Sequence, residues 1–435
     1  MLGIVLVAVA VVRLGGLARR FATESLQADF AAYYTAGESV RAGISPYDNG
    51  LTADPPLWDG IARYRHSRFL YPPLVARALV PLTFLPYEQA KVLWMAVSIA
   101  AMFGSLLIAL RVPGKALPRE AMLILGAFTL LFFPLTVLLE RGQIDALTLL
   151  PLTAGVYLMS TRADREWLGG FLIGIACLIK PHIVLVLPFL FLRGKWKAAG
   201  GLATAGVVVT VLSVVAGGTA ELSGYVRDEL PRIGRYGELG KPEMALPDSV
   251  LKAARNDLAD DEVINHGRLY QRSLVEFAPG ASVVRLLAGV PKRVGLDLTL
   301  PVISLMLTLA AGALLWFFSR KHAEPHAVTP RDEFLFWQLV IVVLLLFGPL
   351  TWMMNLVWLL PSAVLLLGEV SILPRVAPRW SVIVLGTGLL IAALPEFDFF
   401  RAPDLWLQTK YVFAEIAVLA GLWGMGAVSG VKSLR

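Results

Sequence analysis

Apolar residues run in long blocks along most of the chain, among them Ala121 to Leu139, Val340 to Leu350 and Val382 to Leu394, and charged residues collect between the blocks. Blocks of this length, without the ten-residue alternation of an outer-membrane barrel, predict spanning helices. Spans are expected at Met1–Ala18 and at about 87–110, 120–139, 144–160, 197–217, 297–319, 334–350, 352–370, 380–395 and 411–430, each near the twenty residues a bilayer needs. The first of these carries Arg13 and no small-residue cleavage site leading into a soluble domain, so it is expected to remain as a span.

Residues 169–195, GGFLIGIACLIKPHIVLVLPFLFLRGK, depart from this pattern, because Lys180, Pro181 and His182 interrupt the apolar run at its centre. A straight span there would bury a charge at about 2.5 to 3.5 kcal/mol or more, and the proline would break it. Short connections on either side carry Arg162 and Arg165, then Arg193, Lys195 and Lys197. If both are cytoplasmic by the positive-inside rule, the segment goes out and returns as two half-passes with the lysine at its outer apex. The same rule places Arg111, Lys115, Arg119, Arg320, Lys321, Arg331, Arg375, Arg379, Lys432 and Arg435 inside. About twelve passes follow, with both ends inside and two long polar stretches, 22–86 and 218–296, outside.

Composition agrees with that reading. The chain is 57% hydrophobic and 16% charged, against about 25% charged in soluble domains, which rules out a water-soluble globule. The net charge of +7 is expected from basic residues flanking spans and does not call for nucleic acid. The single cysteine, Cys177, permits neither an intrachain disulfide nor an all-cysteine metal site.

The first outer stretch contains a helix-compatible run from Ala28 to Arg41, stopped by Gly43 and Pro46, in which Asp29 and Tyr33 share a face. A carboxylate at the start of a helix, kept ionised by the helix dipole, suits a general base that accepts a hydroxyl proton; the plainer alternative is that Asp29 caps the helix. Prolines 72, 73, 81 and 86 delimit a short interfacial helix with Arg77 on its polar side. The turn Glu140-Arg141-Gly142-Gln143, followed by Asp145, concentrates polar groups at a span end. Lys180 inside its hairpin needs a negative partner. A lipid phosphate is one candidate, and an ion pair with Glu140 or Asp145 is the other. No HxxH or HExxH spacing and no phosphate-cradling GxxxxGK[ST] occurs, and every inner connection is too short for a nucleotide-binding domain.

Taken in order, Asp29-x-x-x-Tyr33 with SVRAGISPYD, then FLYPPLVARALVPL, RGQIDALTLLPL, GGFLIGIACLIKPHIVLVLPFLFLRGKWKA and LYQRSL resemble the polytopic glycosyltransferase family 87 of the GT-C superfamily, from about Asp29 to Pro361. The resemblance implies an all-α polytopic membrane protein with the GT-C fold, forming one transmembrane domain over residues 1–435. It also implies inverting transfer of a sugar, usually mannose, from a polyprenyl-phosphate donor to a lipid or glycan acceptor outside the cell membrane. No cofactor, metal or nucleic acid is expected. Asp29 falls on the family's catalytic base, Lys180 on the lysine of its Lys-Pro hairpin, and Gln271 and Ser273 on its Asn-Gln-Ser-Leu segment. Tyr33, Arg141, Gln143, His182 and Arg272 are the remaining expected donor-phosphate or substrate contacts. Two departures stand out. Tyr270 replaces the family's asparagine, and Met353 and Met354 follow Trp352 where histidines are common. A transporter or flippase of a lipid-linked precursor is the alternative; it would place polar groups along a midplane path from both sides, whereas the ionisable residues here gather on one face.

Overall fold

The structure is a computed structural model and describes residues 2–23, 27–47, 57–58, 61–62, 69–112, 116–231, 282–284, 300–321, 329–349, 351–371, 377–395 and 405–429. Among them, helices dominate and one antiparallel pair of two-residue strands, Leu57–Trp58 and Ile61–Ala62, is the sheet present. The helices are α1 (Leu2–Thr23), α2 (Ala28–Arg41), α3 (Pro73–Leu79, continued by a 3₁₀ turn over Val80–Phe84), α4 (Tyr87–Ala109), α5 (Arg119–Leu131), α6 (Phe133–Arg141), α7 (Asp145–Thr161), α8 (Glu166–Ile179), α9 (Leu187–Leu192, preceded by 3₁₀ residues Pro181–Val186) and α10 (Trp196–Gly224, extended by a π-helical turn over Tyr225–Glu229). They continue as α11 (Leu300–Lys321), α12 (Pro330–Leu346), α13 (Leu360–Ser371, preceded by 3₁₀ residues Met353–Leu359), α14 (Arg379–Ala393) and α15 (Leu405–Ser429).

Three of the described helical stretches are long and apolar enough to cross a membrane: α4, α10 with its π turn, and Met353–Ser371; the bent pair α5–α6 makes a fourth. The sequence pattern predicts more spans of full length than this. Part of the difference lies in helix breaks. The expected span over 120–139 bends by 47° between α5 and α6, at Phe132, whose backbone is extended (φ −63°, ψ 114°). Pro134 explains the break, because it removes a helical N–H and its ring opposes the carbonyl four residues earlier. Other stretches are simply short: α14 has 15 residues, and α12 has 17, ending at Leu346 although it starts ahead of the expected 334, at Pro330, where Thr329 and Asp332 form a reciprocal capping box.

Residues 166–192 fold back on themselves. α8 rises from Glu166 and stops at Lys180, and the returning 3₁₀–α9 segment ends next to where α8 began, since Lys195 Nζ lies 4.0 Å from Glu166 and 3.4 Å from the Met159 carbonyl oxygen. α8 also packs along α10 with almost no spacing: a Cβ on Gly170 would stand 1.9 Å from the Ala198 oxygen, and one on Gly201 2.0 Å from the Trp167 oxygen. Only glycine allows two backbones so near, the small-residue packing common between membrane helices.

The bundle has two different ends. At one, Glu333 of α12 meets Arg193 and Lys195, Arg331 meets Glu369, and Ala198 donates its backbone N–H to Glu166. At the other stand the first residues of α2, α4 and α7 and the last of α6, α8 and α10. A continuous apolar core fills the space between. A second cluster, rich in aromatics, covers the latter end: Phe30 stacks on Tyr87 and Trp94, and Tyr47 on Tyr225. Val9, Val12, Val207, Val215, Met306, Ile383 and Leu390, from four different helices, are exposed, as apolar residues that face lipid would be. This is a helical membrane protein.

Candidate functional site

The site forms where three breaks in helical structure converge. α2 begins after Gln27, which takes a left-handed backbone (φ 51°) and makes no side-chain cap; its Nε2 instead donates to the Leu139 oxygen at 2.9 Å, tying α2 to the end of α6. α6 ends at Gly142, also left-handed (φ 69°), and a Cβ there would press to 2.5 Å from Phe30 Cβ, so glycine is needed both for the turn and for the contact. Trp94 Nε1 donates to the Gly142 oxygen at 2.7 Å and fixes the turn from below. α8 ends at Lys180, whose extended backbone follows from the proline after it.

These breaks bring five of the sequence-predicted residues, Asp29, Tyr33, Arg141, Gln143 and Lys180, to one place. Asp29 is buried in the first turn of α2, two positions after the N-cap, which Gln27 occupies. Arg141 grips it bidentately, Nε donating to Oδ2 at 2.6 Å and Nη2 to Oδ1 at 2.9 Å, the fork geometry that makes arginine–carboxylate pairs strong. Arg141 is 36% exposed against 4% for Asp29, so the pair is reached from outside through the guanidinium. One turn along α2, the Tyr33 hydroxyl donates to Gln143 Oε1 at 3.0 Å and lies 2.9 Å from the Tyr71 hydroxyl. Burial first, then Tyr71 and Asp29 beside it, push the Tyr33 phenol well above its ordinary value of 10, which makes it a neutral hydrogen-bond donor and not a base.

Lys180 lies on the far side of this tyrosine pair. Its Nζ stands 3.4 Å from Asp145 Oδ2 and 5.8 Å from the centre of the Tyr71 ring. Asp145, fully buried at the start of α7, accepts at Oδ1 from Asn355 Nδ2 at 2.5 Å. His182 does not face the Asp29 pair directly; it stacks on Trp358 at 5.9 Å and 16°, and Trp358 Nε1 donates to the Asp145 carbonyl at 3.4 Å. Gln271, Arg272 and Ser273, with Tyr270, lie outside the described residues. Two residues that sequence reasoning does not single out for the site, Tyr71 and Asn355, are integral to it. Tyr71 sits in the quoted FLYPP motif. Asn355 sits two positions past Met353, whose sulfur accepts from the Tyr411 hydroxyl at 2.9 Å. Among the described residues no cluster of three or more His, Cys, Asp or Glu side chains could hold a metal ion.

A model of the family "Glycosyltransferase family 87" matches residues 69–329, more than half of the chain. The chain belongs to that family. The matched region holds Tyr71, Arg141, Gln143, Asp145, Lys180 and His182, and begins after Asp29. Among curated proteins, the chain is similar to a polyprenol-phosphate-mannose-dependent alpha-(1-2)-phosphatidylinositol pentamannoside mannosyltransferase of Mycobacterium tuberculosis, 29% identical over 174 residues that make up 39% of each chain. It is also similar to an alpha-(1->3)-arabinofuranosyltransferase of the same organism, 30% identical over 190 residues, 43% of this chain and 40% of that one. An alpha-(1->3)-arabinofuranosyltransferase of Corynebacterium glutamicum is 27% identical over 211 residues, 47% of this chain and 46% of the other. The chain thus spans less than half the length of these relatives. No solved structure matches it. Membership of glycosyltransferase family 87, with relatives named for sugar transfer, does not favour the transporter reading.

Proposed function

We propose that this member of family 87 is an inverting glycosyltransferase that moves a sugar, with mannose the first to test, from a polyprenyl-phosphate donor to a lipid or glycan acceptor. In this reading residues 1–435 form one GT-C transmembrane domain that crosses the cell membrane about twelve times, with stretches 22–86 and 218–296 outside and the Asp29 end of the bundle extracytoplasmic. The two-ended charge distribution supports that orientation, since the end holding Arg162, Arg165, Arg193, Lys195, Lys197 and Arg331 has the basic excess of a cytoplasmic face.

The observation that carries the proposal is the placement of a buried carboxylate and two cations within one network at a single bundle end. Asp29 takes the proton of the acceptor hydroxyl as that oxygen bonds to the sugar's anomeric carbon. The bond from that carbon to the phosphate oxygen breaks, and polyprenyl phosphate leaves with its electron pair. Displacement from the opposite side inverts the anomeric centre. A carboxylate offers about four acceptor sites, and the guanidinium fork of Arg141 engages each Asp29 oxygen and aims the group. Lys180 and Arg141 face the developing phosphate charge, which fixed cations stabilise more effectively than water does. Tyr33 and Gln143 hold the turn between them, and His182, Gln271, Arg272 and Ser273 are the further substrate contacts.

The direct test incubates the purified protein with labelled polyprenyl-phosphate mannose and a lipid extract. Label appearing in a new glycolipid supports the proposal. Absence of transfer from any polyprenyl-phosphate sugar, arabinose included, by a folded protein removes it.

A further inference from the structure

A cleft of about 570 Å³ opens beside the Asp29 network, between the end of α2, the short helix α3 and the last turns of α10. Its walls include Tyr47, Arg77, Glu221, Tyr225, Asp228 and Glu229. The volume is that of a small-molecule site. Val40 is among the lining residues and stands eleven positions after Asp29 on α2, so that wall stands roughly 16 Å along the helix from the carboxylate, while the Tyr47 hydroxyl reaches the Tyr71 carbonyl at 2.8 Å. A group held against the Val40 wall is too far from Asp29 to supply the reacting hydroxyl.

Three features of the wall define the ligand. Tyr47 and Tyr225 stack at 5.6 Å and 27°, giving a flat aromatic platform. Arg77, the cation of the wall, is paired with Glu221, and Asp228 and Glu229 add two more carboxylates to the lining, so the wall offers more acceptors than donors. The Tyr225 hydroxyl has no hydrogen-bond partner although the residue is only 5% exposed. That hydroxyl feels the Glu229 carboxylate, another group of the same wall. A buried hydroxyl without a partner is uncommon and calls for one. Carboxylates that accept, a phenol that both donates and accepts, and an aromatic face match a neutral polyhydroxylated ring. A metal ion does not fit, since no chelating group of three acidic or histidine side chains forms among the described residues.

We propose that this cleft is a glycan subsite that holds a non-reacting sugar unit of the acceptor, at a distance from the transfer centre. The inference deepens the glycosyltransferase reading and rests on it for the word acceptor, although binding can be measured without transfer. In such a subsite the acceptor is gripped at two points, and the gain in affinity depends on an acceptor long enough to reach both.

The test uses the full chain in detergent and mannotriose as the probe. Saturation-transfer NMR should show mannotriose contact with the wild type. Gly224→Leu fills the cleft, because Gly224 lines it and nothing lies within 4 Å of where its Cβ would be; binding should weaken by about tenfold or more, roughly 1.4 kcal/mol. Tyr225→Phe keeps the stacked ring and removes only the hydroxyl, and Asp228→Asn removes one charge; each should weaken binding by less, with unchanged thermal unfolding. Transfer to octyl α-mannoside should be the same in all four proteins, while KM for an octyl mannotrioside should rise in the three variants. Mannotriose binding that is absent in the wild type, or equal in wild type and in Tyr225→Phe, Asp228→Asn and any folded Gly224→Leu, overturns the proposal. Transfer without cleft binding sinks only the subsite, and cleft binding without any transfer sinks only the transferase reading.

Discussion

Lys180 faces Asp145 at 3.4 Å across the tip of a broken hairpin, and the carboxylate oxygen it faces accepts no hydrogen bond. Of the two partners that the sequence leaves open for this lysine, the structure therefore supplies one without excluding the other. An internal pair would be better satisfied if that oxygen were also bonded, because a buried carboxylate with a spare acceptor is costly. An anion that enters beside Lys180 would share the ammonium, which has three protons to give.

The two roles separate in a double variant. Lys180→Met keeps the stem and removes the charge; donor binding should weaken by about 2 to 5 kcal/mol, and turnover should fall with it because the same charge stabilises the departing phosphate. If the lysine served only Asp145, its loss would strand a buried charge at about 3 to 5 kcal/mol of stability, and Lys180→Met with Asp145→Asn would restore function. The expected result is that the double variant regains folding stability and not donor affinity. Donor titration and thermal unfolding of the three proteins decide the matter, and a double variant with wild-type affinity and rate ends the donor assignment.

Asp29→Asn should retain the fold, since asparagine can still accept from Arg141, while transfer drops by roughly 10² to 10⁴, the usual cost of losing acid–base catalysis. Single-turnover transfer at saturating donor isolates the chemical step. Near wild-type rates in the variant would move the base to Asp145, the other buried carboxylate of the network.

How much of this was legible in the sequence depends on whether local chemistry or distant contact decides each feature. α2 runs from Ala28 to Arg41 as its pattern predicts, because Gly43 and Pro46 stop it locally. The break at Lys180 is equally local, and its cause is Pro181. Pro134 carries the same signal inside the expected 120–139 span, where the continuity of the apolar block masks it. Thr329-x-x-Asp332 likewise marks a helix start four residues before the first apolar run suggests one. The pairing of Arg141 with Asp29 joins residues 112 positions apart and that of Asn355 with Asp145 joins residues 210 apart; no period or cap encodes such contacts. They arise because α2, α6, α7 and the 3₁₀ turn before α13 share one end of the bundle.

Alkaline pH should loosen that end before it affects the rest. The Tyr33 and Tyr71 phenols are both raised above 10, chiefly by burial, with Lys180 pulling Tyr71 the other way. A raised tyrosine binds its proton more tightly in the folded than in the unfolded chain, so its contribution is fully present below pH 10 and is lost as pH rises from there toward the folded value. Thermal unfolding should be insensitive to these groups up to about pH 10 and fall above it, and Tyr33→Phe should make the fall shallower. An equally steep fall in that variant would assign the alkaline transition to other groups. At neutral pH, Tyr33→Phe costs the hydrogen bond to Gln143, about 1 kcal/mol of stability, and should lower transfer modestly without altering its pH profile.

The leaving phosphate poses a charge problem that family members of any architecture must solve, either with a divalent cation or with fixed side-chain cations. A resident Mg²⁺ or Mn²⁺ requires several oxygen ligands around one point. In this network the carboxylates are each committed to a side-chain cation, Asp29 to Arg141 and Asp145 to Lys180, and Asp145 also accepts from Asn355. To bind a metal, either would have to release its partner, exchanging one positive charge for another. Lys180 and Arg141, by contrast, can add a phosphate to the arrangement already in place, because lysine carries three donors and arginine five. Transfer is therefore expected to continue in excess EDTA at close to the untreated rate, with no stimulation by added magnesium or manganese. Complete loss in EDTA, reversed by either ion at constant ionic strength, would show that the donor phosphate is held by metal and that the two cations position it only from a distance.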